Sequence, residues 1–296
     1  MQSLSTLVRF FDPALLGRKL RGALPFVCYR LHHPSPQHVQ PNALRVWTWW
    51  GPVIVHAQSD SITSSLVKTG VYDLDLSLAI LRSIKSSMVV CNIGANVGLY
   101  ALLAARGAGK KGKVYAFEPD PRSFALLAMN AEQFPDVIEP VPFAVGDHDG
   151  ELDLWLDDKE PGDSSFARGN VESSSAHRTR VCTLDHFCAE QGIVPHAIIM
   201  DIQGAEPLAF EGMKSTLRQP QLSTIFFECS PKYSENMGVS VSVIPQILHA
   251  AGFTIAHLRR SALPDPDTAW DALIQELHAR KGGYGFCNLV ARRTSL

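Results

Sequence analysis

Four carboxylates and one glycine turn hold most of the chemistry open to this chain. Glu118 closes the apolar run Lys113 to Phe117, Asp201 closes the run IIM, and Glu228 closes TIFF. Each acid therefore stands where a strand-like segment stops. Glu206 follows Asp201 closely, with Pro207 beside it in what reads as a first helical turn, a position that suits an acid without any catalytic role. A carboxylate accepts hydrogen bonds from hydroxyls, and beside an alcohol it can take the proton as a new bond forms to oxygen. The turn, Gly94-Ala95-Asn96-Val97-Gly98, lies between the apolar run Met88 to Cys91 and a helical pattern over Leu99 to Arg106. Glycine is needed where backbone turns sharply or lies against a ligand, and the following helix points its free N–H groups back at that spot. Glu118 comes twenty residues after Gly98, at the end of the next strand, where it is placed to accept from ribose hydroxyls. Strand, glycine turn, helix, strand and acid in this order make a nucleoside-cofactor half-site.

The turn also narrows the ligand. The dinucleotide pattern G-x-G-x-x-G is absent, and Asn96 stands where a pyrophosphate would approach the second glycine. S-adenosylmethionine has no phosphate, and its methionine end carries an ammonium and a carboxylate. A turn offering side-chain amides and backbone N–H groups suits that zwitterion better than a diphosphate. A nicotinamide-dependent oxidoreductase is the competing enzyme reading: it shares the acid after the second strand but wants the missing glycines.

The elements that must position these residues alternate. Strands are expected near 88–93, 113–117, 138–144, 197–201, 224–228, 252–258 and 284–292, and helices near 97–106, 121–133, 184–190, 206–218 and 241–250. Each parallel connection requires a crossover, so this alternation predicts an α/β fold with a doubly wound, mostly parallel seven-stranded sheet. Pro264 to Lys281 reads as an inserted excursion with a helix over Thr268 to Ala279, and Glu151 to Leu156 reads as a further strand. The polar run Asp157 to Arg180 has no hydrophobic period and reads as a long loop, either a lid or disorder.

The domain is expected to span 69–296, led by a helix ending at Ser83 whose apolar faces come from Leu74, Leu76, Leu78 and Leu81. Residues 1–68 read as an N-terminal extension. Its first part, Met1 to Arg30, carries Arg9, Arg18, Lys19, Arg21 and Arg30 against Asp12 among apolar residues, a basic amphipathic segment for a membrane surface, a partner or the domain itself. A Pro- and His-rich connection, His32 to Pro41, leads to a hairpin over Trp47 to His56 that turns at Gly51-Pro52. Trp47, Trp49 and Trp50 serve either packing or an acceptor site. His32, His33 and His38 lack metal spacing, and no metal site is expected.

Bulk properties agree with a globular protein: of 296 residues, 46% are hydrophobic and 19% charged. A net charge of −2 gives no footing for nucleic acid as a partner. Cys28, Cys91, Cys182, Cys188, Cys229 and Cys287 form no C-x-x-C pair, which favours reduced core thiols and a cytoplasmic setting. No apolar run approaches the ~20 residues needed to span a bilayer.

The successive blocks VVCNIGANVGLYALLAA, KVYAFEPDPRSFALLAMNAE, FAVGDHDGELDL, TLDHF, IIMDIQGAEPLAFEGM and FFE resemble those of the FkbM-like methyltransferases, across roughly Gly70 to Arg292. The resemblance implies a class I, Rossmann-like, S-adenosylmethionine-dependent methyltransferase whose sheet closes with one antiparallel strand. It implies a hydroxyl of a sugar, glycan or polyketide-type natural product as acceptor. Carried onto this sequence, it places cofactor contacts at Asn92, Gly94, Ala95, Asn96, Gly98, Glu118, Pro119, Ala144, Val145 and Asp201. Asp201, Glu228 and Glu206 are the candidate catalytic residues, with His148, His177 and His186 as further bases that spacing does not separate. Tyr72-Asp73 matches the family's leading Tyr-Glu pair. Three positions depart from the pattern: Asn92 replaces an acid, Met200 a lysine and Gln203 a glutamate. Loss of the acid at 92 predicts weaker cofactor binding, since a charge-assisted hydrogen bond exceeds a neutral one by about 1–2 kcal/mol. It also motivates a second reading, a degenerate methyltransferase fold that binds a partner.

Overall fold

The computed structural model describes residues 34–58, 60–171, 175–258, 266–280 and 285–294. The basic segment 1–30, with Cys28, His32 and His33, lies outside the described residues. The chain divides into two compact units, 1–72 and 73–296.

In the first unit, β1 (Gln37–Gln40), β2 (Ala43–Thr48) and β3 (Gly51–His56) form an antiparallel sheet in that order. The expected hairpin is β2–β3, with Trp47 opposite Pro52 and Thr48 opposite Gly51. Trp49 and Trp50 have ring centroids 6.3 Å apart and are half-buried. The expected connection over His32 to Pro41 instead contains β1. Three of its four residues are polar and exposed, with Val39 alone apolar, so backbone pairing makes the strand without a hydrophobic alternation to betray it. Helix α1 (Ser61–Thr69) begins at Asp60, whose carboxylate accepts from the Thr63 N–H at 2.5 Å, and ends at Gly70 in left-handed backbone.

The second unit begins with α2 (Leu74–Ser83), then runs β4 (Val89–Ile93), α3 (Leu99–Ala108), β5 (Lys113–Phe117), α4 (Pro121–Ala131) and β6 (Ile138–Val141). The strands β7 (Ala144–Val145), β8 (Gly150–Trp155) and β9 (Ala176–Cys182) follow, and then α5 (Leu184–Gln191), β10 (Ala197–Met200), α6 (Glu206–Glu211) and α7 (Lys214–Leu217). The chain continues with β11 (Thr224–Cys229), α8 (Pro231–Asn236), α9 (Val243–Ala250), β12 (Phe253–His257), α10 (Pro266–His278) and β13 (Cys287–Arg293). The seven-stranded sheet has the order β12-β13-β11-β10-β4-β5-β6, with β13 antiparallel to both its neighbours and the pairs from β11 to β6 parallel. Every residue of β10 and nearly every one of β4 and β11 is buried, as expected of parallel strands covered on both faces. Phe117, Phe210, Phe226 and Phe227 are fully buried, and each such side chain stabilises the fold by about 1.5–3 kcal/mol. Cys91, Cys182, Cys188, Cys229 and Cys287 are also buried. Among the described residues no helix is long and apolar enough to cross a membrane.

Four further sequence expectations are corrected. The strand expected over 138–144 is two: after Val141 the chain leaves the main sheet, and Ala144–Val145 pairs with β9 in a small sheet, β7-β9-β8. Within the polar run Asp157 to Arg180, Ala176 to Arg180 is already strand. Its outward residues, Arg178 and Arg180 among them, are exposed, which hides the alternation. The helix expected over 206–218 is broken, because Gly212 packs so closely on the Gly146 backbone that a Cβ would lie 1.9 Å from its carbonyl oxygen. Asp185 then starts α7 by accepting from the Ser215 and Thr216 N–H groups. Leu74, expected on the apolar face of α2, is 41% exposed, and Leu76 and Ile80 carry the packing.

Candidate active site

Chain order places the switch point between β4 and β10: from β4 the sheet grows through β5 to β6, then resumes on the other side with β10. Ligands of open α/β sheets bind beyond the carboxyl ends of strands at such a point. The glycine turn lies there. The Gly94 and Ala95 N–H groups donate to the Phe117 carbonyl at 3.0 and 2.8 Å, tying the turn to the end of β5. Gly94 has φ +75°, and a Cβ on it would lie 1.9 Å from the Asp201 carbonyl oxygen, so only glycine lets the ends of β4 and β10 approach. Asn96 also sits in left-handed backbone, at φ 49°, which asparagine tolerates. Gly98, at φ +89°, packs on Leu127 and starts α3.

Glu118 faces this turn. Its Oε2 accepts from the Asn96 N–H at 2.7 Å and its Oε1 from the Asp120 N–H at 2.8 Å. Burial pushes its carboxyl up to about 8, while those two N–H groups and the Arg122 guanidinium pull the other way. Pro119 beside it is half-buried. Asn92 is fully buried on β4, where its Nδ2 donates to the Ile199 carbonyl at 3.4 Å, a bond no carboxylate could make. The amide oxygens of Asn92 and Asn96 are buried and without a hydrogen-bond partner. Two orphaned acceptors beside a turn fit a ligand that brings donors, as an ammonium does. Ala144 and Val145 are buried in β7, beyond the end of β6. Met200 packs in the core among Phe210, Phe227 and Ile198, where a lysine would be desolvated.

The other acids gather at the ends of β10 and β11. Asp201 follows β10, its N–H donating to the Ile93 carbonyl at 3.0 Å and its Oδ1 accepting from the Gln203 amide at 3.4 Å. Burial, and then the charge of Asp73, raise its carboxyl to about 6. Glu206 is fully buried; its Oε1 accepts from the Ile202 N–H at 2.9 Å, and burial lifts its carboxyl to about 8. It therefore braces the turn after β10, where Gly204 packs on the backbone of Tyr233 and Ser234. Glu228 accepts from the Ser230 hydroxyl at 2.5 Å, and burial followed by the charges of Asp201 and Glu206 pushes it well above the ordinary carboxylate range.

The structure adds two residues that sequence spacing did not select. Asp73 caps α2 from left-handed backbone (φ 39°), its Oδ1 accepting from the Leu76 N–H at 3.2 Å. Its Oδ2 accepts from the Asn288 amide, and Asn288 stands opposite Glu228 in the β11–β13 ladder. The Tyr72-Asp73 pair was visible as a family feature, but a partner 215 residues away was not. The histidines go elsewhere: His148 pairs with Asp147, His186 with Asp149, and His177 lies on β9 opposite Leu154.

The segment between β8 and β9 is fastened at both ends of the site. Arg122 clasps Asp120 and donates to the Asp157 carbonyl at 2.9 Å, while Ser164 donates to Asp120 at 2.9 Å. Further along, Asn170 donates to the Tyr233 carbonyl at 3.1 Å and accepts from Asn236 at 2.7 Å.

A doubly wound sheet with an acid-faced glycine turn at its switch point places the chain among the open α/β folds that bind ligands beyond the carboxyl ends of their strands. The methyltransferase FkbM domain model matches residues 92–255, more than half of the chain, and the chain belongs to that family. It is 24% identical over 147 residues to the hexuronic acid methyltransferase AglP of Haloferax volcanii, covering 49% of this chain. The chain spans 57% of that relative's length. Among solved structures it is similar to the methyltransferase FkbM of Methylobacillus flagellatus KT (16% identity, TM-score 0.43, covering 69% of this chain and 44% of that one). It is also similar to an S-adenosylmethionine-dependent O-methyltransferase of Thermotoga maritima (13% identity, TM-score 0.41, covering 88% and 86%).

Proposed function

We propose that this methyltransferase takes S-adenosylmethionine as donor and methylates a hydroxyl of a sugar or glycan, or of a polyketide-type product. The observation that carries the reading is Glu118, whose carboxylate reaches back to the Asn96 N–H of the glycine turn at the switch point. When bound, S-adenosylmethionine supplies an electrophilic methyl group. Glu118 would accept from the ribose hydroxyls, the orphaned oxygens of Asn92 and Asn96 from the ammonium, and the turn's backbone would cradle the methionine end. Asp201 is the proposed base. Its carboxyl, raised to about 6, is ionised at neutral pH yet basic enough to draw the proton from an acceptor hydroxyl. Its charge in turn helps raise the carboxyls of Glu206 and Glu228. The fastened Asp157 to Asn170 segment would screen the site from water. The sugar class draws on the relative's hexuronic acid. Calorimetric titration with S-adenosylmethionine tests the donor, and transfer of a labelled methyl group to a panel of glycans and natural-product alcohols tests the acceptor. Failure to bind the donor at millimolar concentration would refute the proposal.

A further inference from the structure

Glu118 serves a ribose only if its buried carboxylate is held still, and one of the two N–H groups that hold it belongs to Asp120. Asp120 is itself 1% exposed, so its charge has to be met inside the protein. Its Oδ1 accepts from the Arg122 N–H at 2.9 Å, capping α4, and from the Arg122 Nε at 3.1 Å. Its Oδ2 accepts from the Arg122 Nη2 at 2.7 Å and from the Ser164 hydroxyl at 2.9 Å. Four such bonds fill the acceptor capacity of one carboxylate, so Asp120 is engaged by the protein rather than by a ligand.

The grip on Asp120 comes from two parts of the chain. Arg122 lies in the first turn of α4, while Ser164 belongs to the polar run between β8 and β9. Arg122 reaches that run as well, donating to the Asp157 carbonyl at 2.9 Å and pairing with the Asp158 carboxylate at 3.2 Å. Within the run the Ser164 hydroxyl accepts from the Asp157 N–H at 3.2 Å. An unbroken series of hydrogen bonds therefore leads from Ser164 through Asp120 to Glu118 and on to Asn96 in the glycine turn. Charge follows the same path: Asp120 raises the Glu118 carboxyl and the Arg122 guanidinium lowers it.

We infer that Asp120 is a positioning residue that acts on the donor's ribose through Glu118, and that Arg122 and Ser164, by holding Asp120, make ribose affinity depend on the segment 157–164. The inference rests on the reading of Glu118 as the ribose acid and adds the residues that orient it. A carboxylate whose supporting N–H is free to shift meets a hydroxyl in poorer geometry, and the loss falls on the ribose alone.

The test uses the full chain and two nucleosides, adenosine and 2′,3′-dideoxyadenosine, which differ only in the ribose hydroxyls. Both are titrated calorimetrically above about pH 8, where Glu118 is ionised. The wild type should prefer adenosine. In Ser164→Ala and Arg122→Met adenosine affinity should fall at least about threefold, the effect of one lost hydrogen bond, while dideoxyadenosine affinity holds. In a Glu118→Gln background neither substitution should weaken adenosine further, because the group through which they act is gone. Ser164→Ala leaves Asp120 paired with Arg122, so the measurement does not depend on whether Arg122→Met folds. No loss of adenosine affinity in Ser164→Ala, a fall shared equally by both nucleosides, or an undiminished further loss in the Glu118→Gln background overturns the inference and leaves Glu118 as the ribose acid. A wild type that binds neither nucleoside, or binds both alike, takes Glu118 away from the ribose, and the inference falls with that reading.

Discussion

Replacing Glu118 by Gln tests the half-site at its centre. The wild-type carboxylate accepts from two backbone N–H groups, Asn96 at 2.7 Å and Asp120 at 2.8 Å. Glutamine has one acceptor oxygen, so one of those buried N–H groups loses its partner at a cost of about 1–3 kcal/mol in stability. A ribose hydroxyl loses a charge-assisted bond of about 1.5–3 kcal/mol, which is roughly a 10- to 150-fold loss in affinity. Adenosine is the right probe, because it carries the ribose and lacks the titrating ammonium. Burial holds the Glu118 carboxyl at about 8, so the acceptor form becomes more populated as pH rises toward and through that value. Adenosine affinity in the wild type should therefore climb with pH and level off above about 8, while Glu118→Gln binds weakly and without that slope. Calorimetric titrations across that range decide it. If the variant binds adenosine as well as the wild type, or keeps the same slope, Glu118 does not hold a ribose.

Three further outcomes follow from the geometry. Gly94→Ala places a Cβ 1.9 Å from the Asp201 carbonyl at φ +75°; the left-handed backbone alone costs about 1–2 kcal/mol, so a urea midpoint equal to the wild type would contradict the close approach of β4 and β10. Asp73→Asn keeps a side-chain oxygen to cap α2 but removes the charge that helps raise Asp201, so the acidic limb of the pH–rate profile should move to lower pH; an unmoved limb argues against their coupling. Glu206, lifted by burial from 4.5 to about 8, favours folding when protonated, so its contribution is complete below pH 4.5 and is lost as pH rises through about 8. Glu206→Gln does not titrate and should gain on the wild type in urea unfolding at alkaline pH; a difference that does not change with pH would contradict this.

The site was partly legible because its elements carry local signatures. An apolar run, a glycine turn and an acid at strand spacing are each set by backbone sterics and burial close in sequence, so Gly94 and Glu118 could be placed before any fold was seen. Asn92 could be noticed as a departure, but its bond to the Ile199 carbonyl could not, since that needs the β4–β10 pairing. The strand Ala176–Cys182 escaped because Arg178 and Arg180 on its outer face break the apolar pattern. The break at Gly212 escaped because its cause is Gly146, remote in sequence and close in space.

By itself the sequence determined the alternation of strands and helices, the glycine turn and the acid that follows it, since hydrophobic period and glycine stereochemistry act over a few residues. The tertiary structure alone decided that Asp73, Asn288 and Glu228 meet beside Asp201, and that the polar run after β8 is fastened to Arg122 and Tyr233. Strand order and register bring those groups together, and Coulomb forces and hydrogen bonds act through that space rather than along the chain.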